Sequence, residues 1–259
     1  MPRVTLYSFS LFSPRRLRRE WRAACRYACV GIVTILLLGC SQKFNDVNDT
    51  MKLALFGEPD AVLTADEITL SPYASIYARV GDGPQAFMVL ALAEPKPQLA
   101  DTAANTRSTD PKENPLQLKW LSADKGMLTT EYGRLVKSLN LPQGNLVAST
   151  SNQPDPLRLG LHRANTPMVW ERTVDWQPGF HFGYPLTSRF LPHGEQIVMV
   201  NDAPITTLYF TETVTVGALD MHYDNHFWID PSNGAVVKSR QKLAPTLDYV
   251  EITVLKPFS

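Results

Sequence analysis

Three polar side chains in the segment HYDNH have a spacing that suits a metal site. His222, Asp224 and His226 occupy alternate positions, so an extended backbone would place all three on one face of a strand. Imidazole and carboxylate groups arranged in this way can bind a divalent metal ion. The segment is also typical of a polar turn, because Gly217 and Asp220 precede it and mark a loop. We prefer the turn and predict no metal site.

A second group of polar residues lies in the segment FHFGYPLTSRFLPHGEQ. It contains His181, Tyr184, His193 and Glu195. A histidine close to a carboxylate is suited to acid–base chemistry. Glycines and prolines are spread through the segment, however, and they indicate loops in which polar side chains are expected anyway. The sequence also contains no GxSxG, HExxH or glycine-rich phosphate-loop pattern, so we predict no catalytic residue.

Large aromatic side chains are a third source of candidate chemistry. Rings exposed in a groove can stack on sugars, because they combine apolar area with a polar edge. The alternative is that the rings fill the core of a β-fold, and sequence alone does not separate the two. The large rings are Trp120, Trp170, Trp176, Trp228, Tyr184, Tyr209 and Tyr223, and the candidate glycan contacts among them are Trp120, Trp176, Tyr184 and Trp228.

A cysteine near the amino terminus has a predicted chemical fate. The uncharged run 27–39 covers roughly 20 Å as a helix, whereas a bilayer core is about 30 Å thick. It follows an arginine-rich segment, and the two together are typical of a secretory signal peptide. Leu37-Leu38-Gly39-Cys40 resembles a bacterial lipobox, which is cleaved between Gly39 and Cys40 after acylation of the thiol. We therefore predict that residues 1–39 are removed and that Cys40 is lipidated. An uncleaved signal anchor is the alternative.

The composition of the predicted mature chain excludes several partners. Removal of residues 1–39 takes seven arginines and one glutamate from 25 basic and 25 acidic residues, leaving 18 and 24. A mildly acidic chain does not favour nucleic acid as a partner. Cys25 and Cys29 lie in the leader, so Cys40 is the only mature cysteine and neither a disulfide nor a thiol-based zinc site can form. No cofactor is predicted. The membrane is contacted through the lipid anchor.

The elements that must position these residues are predicted to be mainly β. Ten or so alternating segments separated by short turns, such as Gly81–Pro84 and the Pro-Ser-Asn-Gly turn after Asp230, favour an extended antiparallel meander, curled or barrel-like. One or two short helices accompany it. They are predicted within residues 41–56, and within residues 155–164, where Asp155 would cap and Pro156 would begin the helix.

One segment interrupts the strands. Residues 94–115 contain four prolines and almost no large apolar residue, a composition that predicts a flexible insertion. The mature chain, residues 40–259, is otherwise predicted to form a single β-rich domain.

Several segments resemble the YjbF/GfcB family of bacterial lipoproteins over most of residues 40–259. They are LSPYASIYARVGDG, KWLSADKGMLTTEYGRLVKSLNL, DPLR, FWIDPSNGAVVKSRQKL and VEITVLKP. The resemblance implies a lipoprotein of capsule or exopolysaccharide production. It also implies partners, an outer-membrane β-barrel lipoprotein and periplasmic proteins of an exopolysaccharide locus. The insertion at 94–115 departs from the family pattern. Ser41 is not an aspartate, which in lipoproteins of enterobacterial type implies sorting to the outer membrane.

The expected function is therefore non-enzymatic. We expect an outer-membrane lipoprotein on the periplasmic face that binds either the polysaccharide or its barrel partner during secretion. One alternative is a lyase or hydrolase that acts on the exported polysaccharide, which would need two carboxylates across a groove or a histidine–tyrosine pair on one wall. Another is a lipid or lipoprotein carrier, which an apolar cavity of several hundred cubic ångströms would favour.

Overall fold

The computed structural model describes residues 59–96 and 115–258 of the 259-residue chain. The predictions for the leader, for cleavage and lipidation at Cys40, for a helix within 41–56 and for nearly all of the insertion lie outside these residues. Residues 59–258 belong to one compact unit that begins at Pro59. Over the two described ranges, no helix is long and apolar enough to cross a membrane.

Twelve strands follow one another along the described residues, and each pairs antiparallel with its neighbours. The predicted mainly β meander is therefore confirmed. The strands are β1 Ser75–Val80, β2 Gln85–Pro95, β3 Leu116–Ser122, β4 Met127–Glu131, β5 Arg134–Leu139, β6 Asn145–Thr150, β7 Val169–Gln177, β8 His181–Val200, β9 Ala203–Val216, β10 Met221–Ile229, β11 Val236–Lys242 and β12 Tyr249–Lys256.

The sheet curls into a nearly closed barrel. Its strand order is β5-β4-β3-β2-β1-β12-β11-β10-β9-β8-β7-β6, so β5 and β6 are the two edges although they are consecutive in the chain. The two edge strands lie against each other without forming a backbone ladder. Side chains join them at one point, where the Ser138 hydroxyl accepts from the Leu146 amide at 3.0 Å and donates to Asn145 Oδ1 at 3.2 Å. We call this β5–β6 junction the seam.

The two ends of the barrel differ in their connections. Short turns at 81–84, 123–126, 140–144 and 178–180 lie at one end, which we call the turn end. Three longer connections, 96–115, 151–168 and 230–235, share the other end, the loop end, with the two-residue turns 132–133 and 201–202. Antiparallel alternation sends successive connections to opposite ends of the barrel.

Two short α-helices accompany the strands. The first, α1 Ala65–Leu70, begins with a capping box in which Thr64 and Glu67 bond each other's backbone amides. The second, α2 Pro156–Leu159, confirms the predicted helix start, because Asp155 caps it and Pro156 is its first residue. It is shorter than residues 155–164, since Gly160 ends it with a φ of +91°. A 3₁₀ turn, Gly217–Leu219, joins β9 to β10.

The barrel interior contains two apolar clusters of buried side chains. The larger draws its side chains from strands throughout the sheet and includes Ile76, Trp120, Trp176, Val214 and Val250. The smaller lies beneath α2 and includes Leu157, Trp170, Phe190, Phe227 and Ile229. Alternation along β7 and β10, where every second residue is buried, supplies these side chains.

Two predicted loops are strands in the structure, so those predictions were wrong. The segment that holds His181, Tyr184, His193 and Glu195 is β8, a strand of 20 residues. A bulge between Pro192 and Gly194, where Gly194 has a φ of +86°, accommodates these two residues within the ladder. HYDNH is part of β10 rather than a polar turn.

The insertion is shorter than predicted at its amino-terminal side. Strand β2 continues to Pro95, which pairs with Leu116 at the start of β3. Glu94 and Pro95 therefore belong to a strand, because a proline at a strand end costs few ladder hydrogen bonds.

Candidate functional site

A polar groove of about 560 Å³ opens at the loop end of the seam. It forms where the edge strands diverge beyond the Ser138 contact, so that backbone and side chains of both edges face a common space. We call it the seam groove. Its lining comes from the β4–β5 turn, the segment after β6, α2 and both ends of the insertion, and includes Lys96, Glu131, Tyr132, Arg134, Ser149, Ser151, Asn152, Gln153, Asp155, Arg158 and Trp170.

One aromatic side chain of the groove is accessible to a ligand. Tyr132 is 43% exposed and occupies the tight β4–β5 turn with a φ of +49°. The guanidinium group of Arg158 lies 5.9 Å from the ring centroid. A tyrosine combines rigid apolar area with a hydroxyl group, which suits it to contact sugars.

Ion pairs and hydrogen bonds hold the rim of the groove at the insertion. Lys96 Nζ lies 3.2 Å from a carboxylate oxygen of Glu131, and the Gln117 amide donates to the same side chain at 2.9 Å. The Lys96 amide also donates to the Pro115 carbonyl at 2.9 Å. The insertion therefore leaves and rejoins the barrel directly beside the groove.

A buried network of four charged groups lies under the groove floor. Arg134 contacts Asp155 at 2.8 Å and Glu212 at 2.5 Å, and Arg172 contacts Glu212 at 2.9 Å. The Asn225 amide donates to Glu212 at 2.8 Å. Two cations face two anions, so the network is electrically balanced, and it ties β5, β7, β9, β10 and the start of α2 to one point.

Burial and charge act in opposite directions on this network. Burial alone would raise the pKa of Glu212, but Arg134 and Arg172 lower it to about 2. Burial alone would lower the pKa of Arg134, but Asp155 and Glu212 raise it above its ordinary value. The Arg134 guanidinium also lies 4.9 Å and 5.0 Å from the rings of Trp170 and Phe227. Glu212 is therefore ionised at neutral pH, with its buried charge compensated by Arg134 and Arg172.

The groove offers binding groups more clearly than catalytic ones. Glu131 and Asp155 both line it, but each carboxylate has a structural partner, Lys96 or Arg134, and Asp155 also caps α2. The described lining residues include no histidine, so a histidine–tyrosine pair is not formed there. Hydroxyl, amide and guanidinium groups beside one accessible ring are instead suited to hold a polyhydroxylated ligand.

An apolar cavity of about 430 Å³ adjoins the groove. Both spaces share Tyr132, Arg158 and Leu159 as lining residues. The remaining walls come mainly from apolar side chains of the barrel interior and the carboxyl terminus, among them Ile76, Leu118, Trp120, Leu157, Val236 and Ile252.

Residues from the two histidine-containing segments meet on the outer face of the barrel, away from the groove. Tyr209 stacks with Trp228 at 5.1 Å and with His226 at 6.0 Å between ring centroids, and the tilted ring of His193 lies 4.9 Å away. The Tyr209 hydroxyl is 2.7 Å from His226 Nδ1. Burial, and next the charge of Arg240, lower the pKa of His226, which favours its neutral form.

The remaining histidine-segment residues do not assemble into a reactive group. His222 and Asp224 are exposed on the same face of β10 as His226, as alternation requires, and Asp224 accepts from Thr213 at 2.6 Å. Glu195 is exposed on β8, and His181 stacks on Trp176 at 4.2 Å. Within residues 59–96 and 115–258, no group of three His, Cys, Asp or Glu is placed to hold a metal ion.

Burial removes two of the four candidate glycan contacts. Trp120 and Trp176 are 4% and 0% exposed, so their rings belong to the core. Tyr184 is half-buried against Trp176 at 4.7 Å. Trp228 is flanked on its neighbouring strands by Tyr209 and by Lys238, whose Nζ lies 5.6 Å from the indole centroid. Both neighbours would have to move before a sugar could stack on Trp228.

Sequence reasoning missed Tyr132 as a candidate. Its Tyr-Gly pair was identifiable as a turn, but nothing local distinguishes a turn tyrosine beside a groove from any other. The groove exists because strands adjacent in the chain become opposite edges of the sheet, and this is a property of the whole meander.

The fold and site together define an up-and-down antiparallel β-barrel with a polar groove at its seam. Within that class, the model of a known family, described as the group 4 capsule polysaccharide lipoproteins GfcB and YjbF, matches residues 48–255. The chain belongs to this family.

Known relatives agree with this membership. The chain is 30% identical to the lipoprotein GfcB of Escherichia coli K12, over 88% of this chain and 97% of the relative. It is also 30% identical to the lipoprotein YjbF of the same organism, over 87% and 95%. The crystal structure of the E. coli lipoprotein YmcC superposes with a TM-score of 0.61 at 29% identity, covering 82% of this chain and 96% of that one.

Proposed function

We propose that the protein is a non-enzymatic lipoprotein of the outer membrane that assists capsule or exopolysaccharide secretion by binding the glycan in the seam groove. Family membership supports the link to capsule or exopolysaccharide. The observation that carries the binding site is the polar groove itself, with Tyr132 accessible on its wall.

The dimensions and chemistry of the groove suit a saccharide. Its volume of about 560 Å³ lies within the usual range of ligand sites, about 300–1,000 Å³. Ser149, Asn152 and Gln153 provide hydroxyl and amide groups to its lining, together with Tyr132 and Arg158. Such groups hydrogen-bond sugar hydroxyls without requiring a net charge on the ligand.

Anchoring through Cys40 would make weak binding sufficient. A tethered groove meets an emerging polysaccharide at a high effective concentration, so a modest affinity for each repeat is enough. The partners in this proposal are the outer-membrane β-barrel lipoprotein and the periplasmic proteins of an exopolysaccharide locus.

Replacement of Tyr132 tests the groove. Tyr132→Asn removes the ring, and asparagine tolerates the left-handed backbone at this position, so the fold is kept. We expect affinity for exopolysaccharide purified from the bacterium that encodes the chain to fall about tenfold in calorimetric titration. The matched control is Tyr73→Asn, because Tyr73 is 58% exposed and does not line the groove.

Two results would contradict the proposal. Unchanged affinity in Tyr132→Asn, with thermal stability intact, would exclude the groove as the glycan site. New reducing or unsaturated chain ends, appearing when the purified protein is incubated with the polysaccharide, would show an enzyme instead.

A further inference from the structure

The apolar cavity beside the seam groove is unlike the groove in its chemistry. Its inner wall consists of side chains such as Ile76, Leu118 and Ile252. The polar atom of Trp120 on that wall is already satisfied, because its indole N–H donates to Thr130 at 2.9 Å. The cavity therefore presents mostly carbon to a ligand, and burial of apolar ligand surface is the main interaction that it can provide.

Polar groups are concentrated where the cavity meets the groove. Tyr132 and Arg158 belong to both linings, and His162 and Arg163 stand on the cavity side. Nδ1 of His162 is buried and has no hydrogen-bond partner among the described residues.

The position of His162 is fixed by two glycines. A Cβ on Gly234 would lie 2.3 Å from His162 Nδ1, and one on Gly160 would lie 2.7 Å from Cε1. Both glycines also have positive φ angles, +78° and +91°. The loops 160–163 and 230–235 therefore pack closely around the imidazole and form one side of the cavity mouth.

We propose that the apolar cavity binds an alkyl chain, and that the complete site takes a lipid-linked glycan, with its alkyl chain in the cavity and its sugars in the seam groove. The two spaces adjoin at Tyr132, Arg158 and Leu159, one apolar and one polar, and an amphiphile is the ligand class that matches both. Arg158 lines both spaces, so its side chain lies where the linkage between lipid and sugar would sit. The glycan part of this inference rests on the proposed function, whereas the alkyl part stands on the cavity alone.

Alkyl glycosides of different chain length test the inference. The probes are dodecyl maltoside and decyl maltoside below their micelle concentrations, with maltose as the reference, titrated into the full mature chain carrying Cys40→Ser. Each buried methylene contributes about 0.8 kcal/mol, so dodecyl maltoside should bind about tenfold more tightly than decyl maltoside. Maltose should bind more weakly than either.

A bulky side chain at the cavity mouth provides the matching variant. Ala235 is exposed and lines the cavity. Its hydrogen bonds are made by its own backbone N–H and C=O groups. Ala235→Trp should therefore obstruct the entrance without unfolding the loop. We expect this variant to lose the dependence on chain length. The control is Ala218→Trp, which places the same side chain on an exposed site in the 3₁₀ turn after β9.

The outcomes separate the two proposals. Equal affinity for both chain lengths, or a chain-length dependence that survives Ala235→Trp, would overturn the alkyl site and leave glycan binding in the groove standing. Chain-length dependence without any effect of Tyr132→Asn on polysaccharide binding would keep the alkyl site but overturn the lipid-linked glycan.

Discussion

At the residue scale, the carboxylate of Glu212 needs the most compensation from its neighbours. It is fully buried at the centre of the barrel, and Arg134, Arg172 and Asn225 satisfy it. A buried charge is stable only while its partners are present, so removal of one member leaves the others uncompensated. Glu212 is therefore predicted to contribute to stability rather than to chemistry.

Neutralisation of Glu212 should destabilise the barrel strongly. Glu212→Gln leaves Arg134 and Arg172 opposed by Asp155 alone, and breaking a buried ion pair costs about 3–5 kcal/mol. The free energy of urea unfolding at pH 7 measures the loss. The control is Glu251→Gln, because Glu251 pairs with Arg240 at 3.5 Å on the surface, where an ion pair contributes about 0–1 kcal/mol. Similar losses in both variants would contradict the assignment.

The same carboxylate predicts a pH dependence. Its pKa is about 2 in the folded protein against an ordinary 4.5, so its stabilisation is present above pH 4.5 and disappears as the pH falls toward 2. Unfolding experiments across this window should show a loss of stability that is smaller in Glu212→Gln. An equally steep loss in the variant would assign the acid transition to other carboxylates.

Little of this network could be predicted from the sequence. Arg134 and Glu212 are 78 positions apart, and no local pattern connects them. The aromatic side chains show the same limit, because exposure separates Tyr132 from Trp176 and exposure depends on the closure of the barrel. Where chemistry depends on one residue and its immediate neighbours, as for the Asp155 cap of α2, the prediction was confirmed.

At the scale of elements, the alternation of apolar and polar residues predicted strands well, whereas glycines and prolines did not predict loops well. Strand β7 follows from its period of two, and the turn after β1 follows from its glycines. Strand β8 was not predicted, because its glycines and prolines indicate loops. A bulge accommodates Pro192 and Gly194 within the strand. The short helix α1 was also missed, although the capping box of Thr64 and Glu67 was visible in the sequence.

The seam is the element whose stability matters most for the groove. Ser138→Ala removes the hydroxyl that bridges β5 and β6 and leaves the buried Leu146 amide without its partner. We expect a loss of about 1–3 kcal/mol, because a buried donor would lose its acceptor. Hydrogen exchange at Leu146 should accelerate more than exchange at strands distant from the seam.

A matched control serine shows whether the loss of stability comes from the seam. Ser71→Ala removes a hydroxyl whose hydrogen bonds to Tyr73 are exposed, so stability should change by less than about 0.5 kcal/mol. Protection at Leu146 that is unaffected by Ser138→Ala would mean that backbone packing alone closes the barrel.

At the scale of the whole molecule, the start of the compact unit and the groove lie at opposite ends of the barrel. The compact unit starts at Pro59, and Asp60 bonds Arg79 and Gln85 beside the turn end. The seam groove and the apolar cavity open at the loop end. Eighteen residues separate Cys40 from Pro59, and a chain of that length reaches at most about 60 Å. This arrangement suits a tethered body that presents its groove away from the point of attachment.

Replacement of Cys40 tests the predicted tether. In Cys40→Ala we expect the protein to leave the membrane fraction and exopolysaccharide output to fall, because the groove loses its high local concentration at the membrane. Cys25→Ala is the matched control, since Cys25 lies in the segment that cleavage would remove. Mass spectrometry of the wild-type chain should find acyl groups on Cys40 and no residue before it. A soluble Cys40→Ala protein that sustains normal output would show that the barrel acts without its anchor.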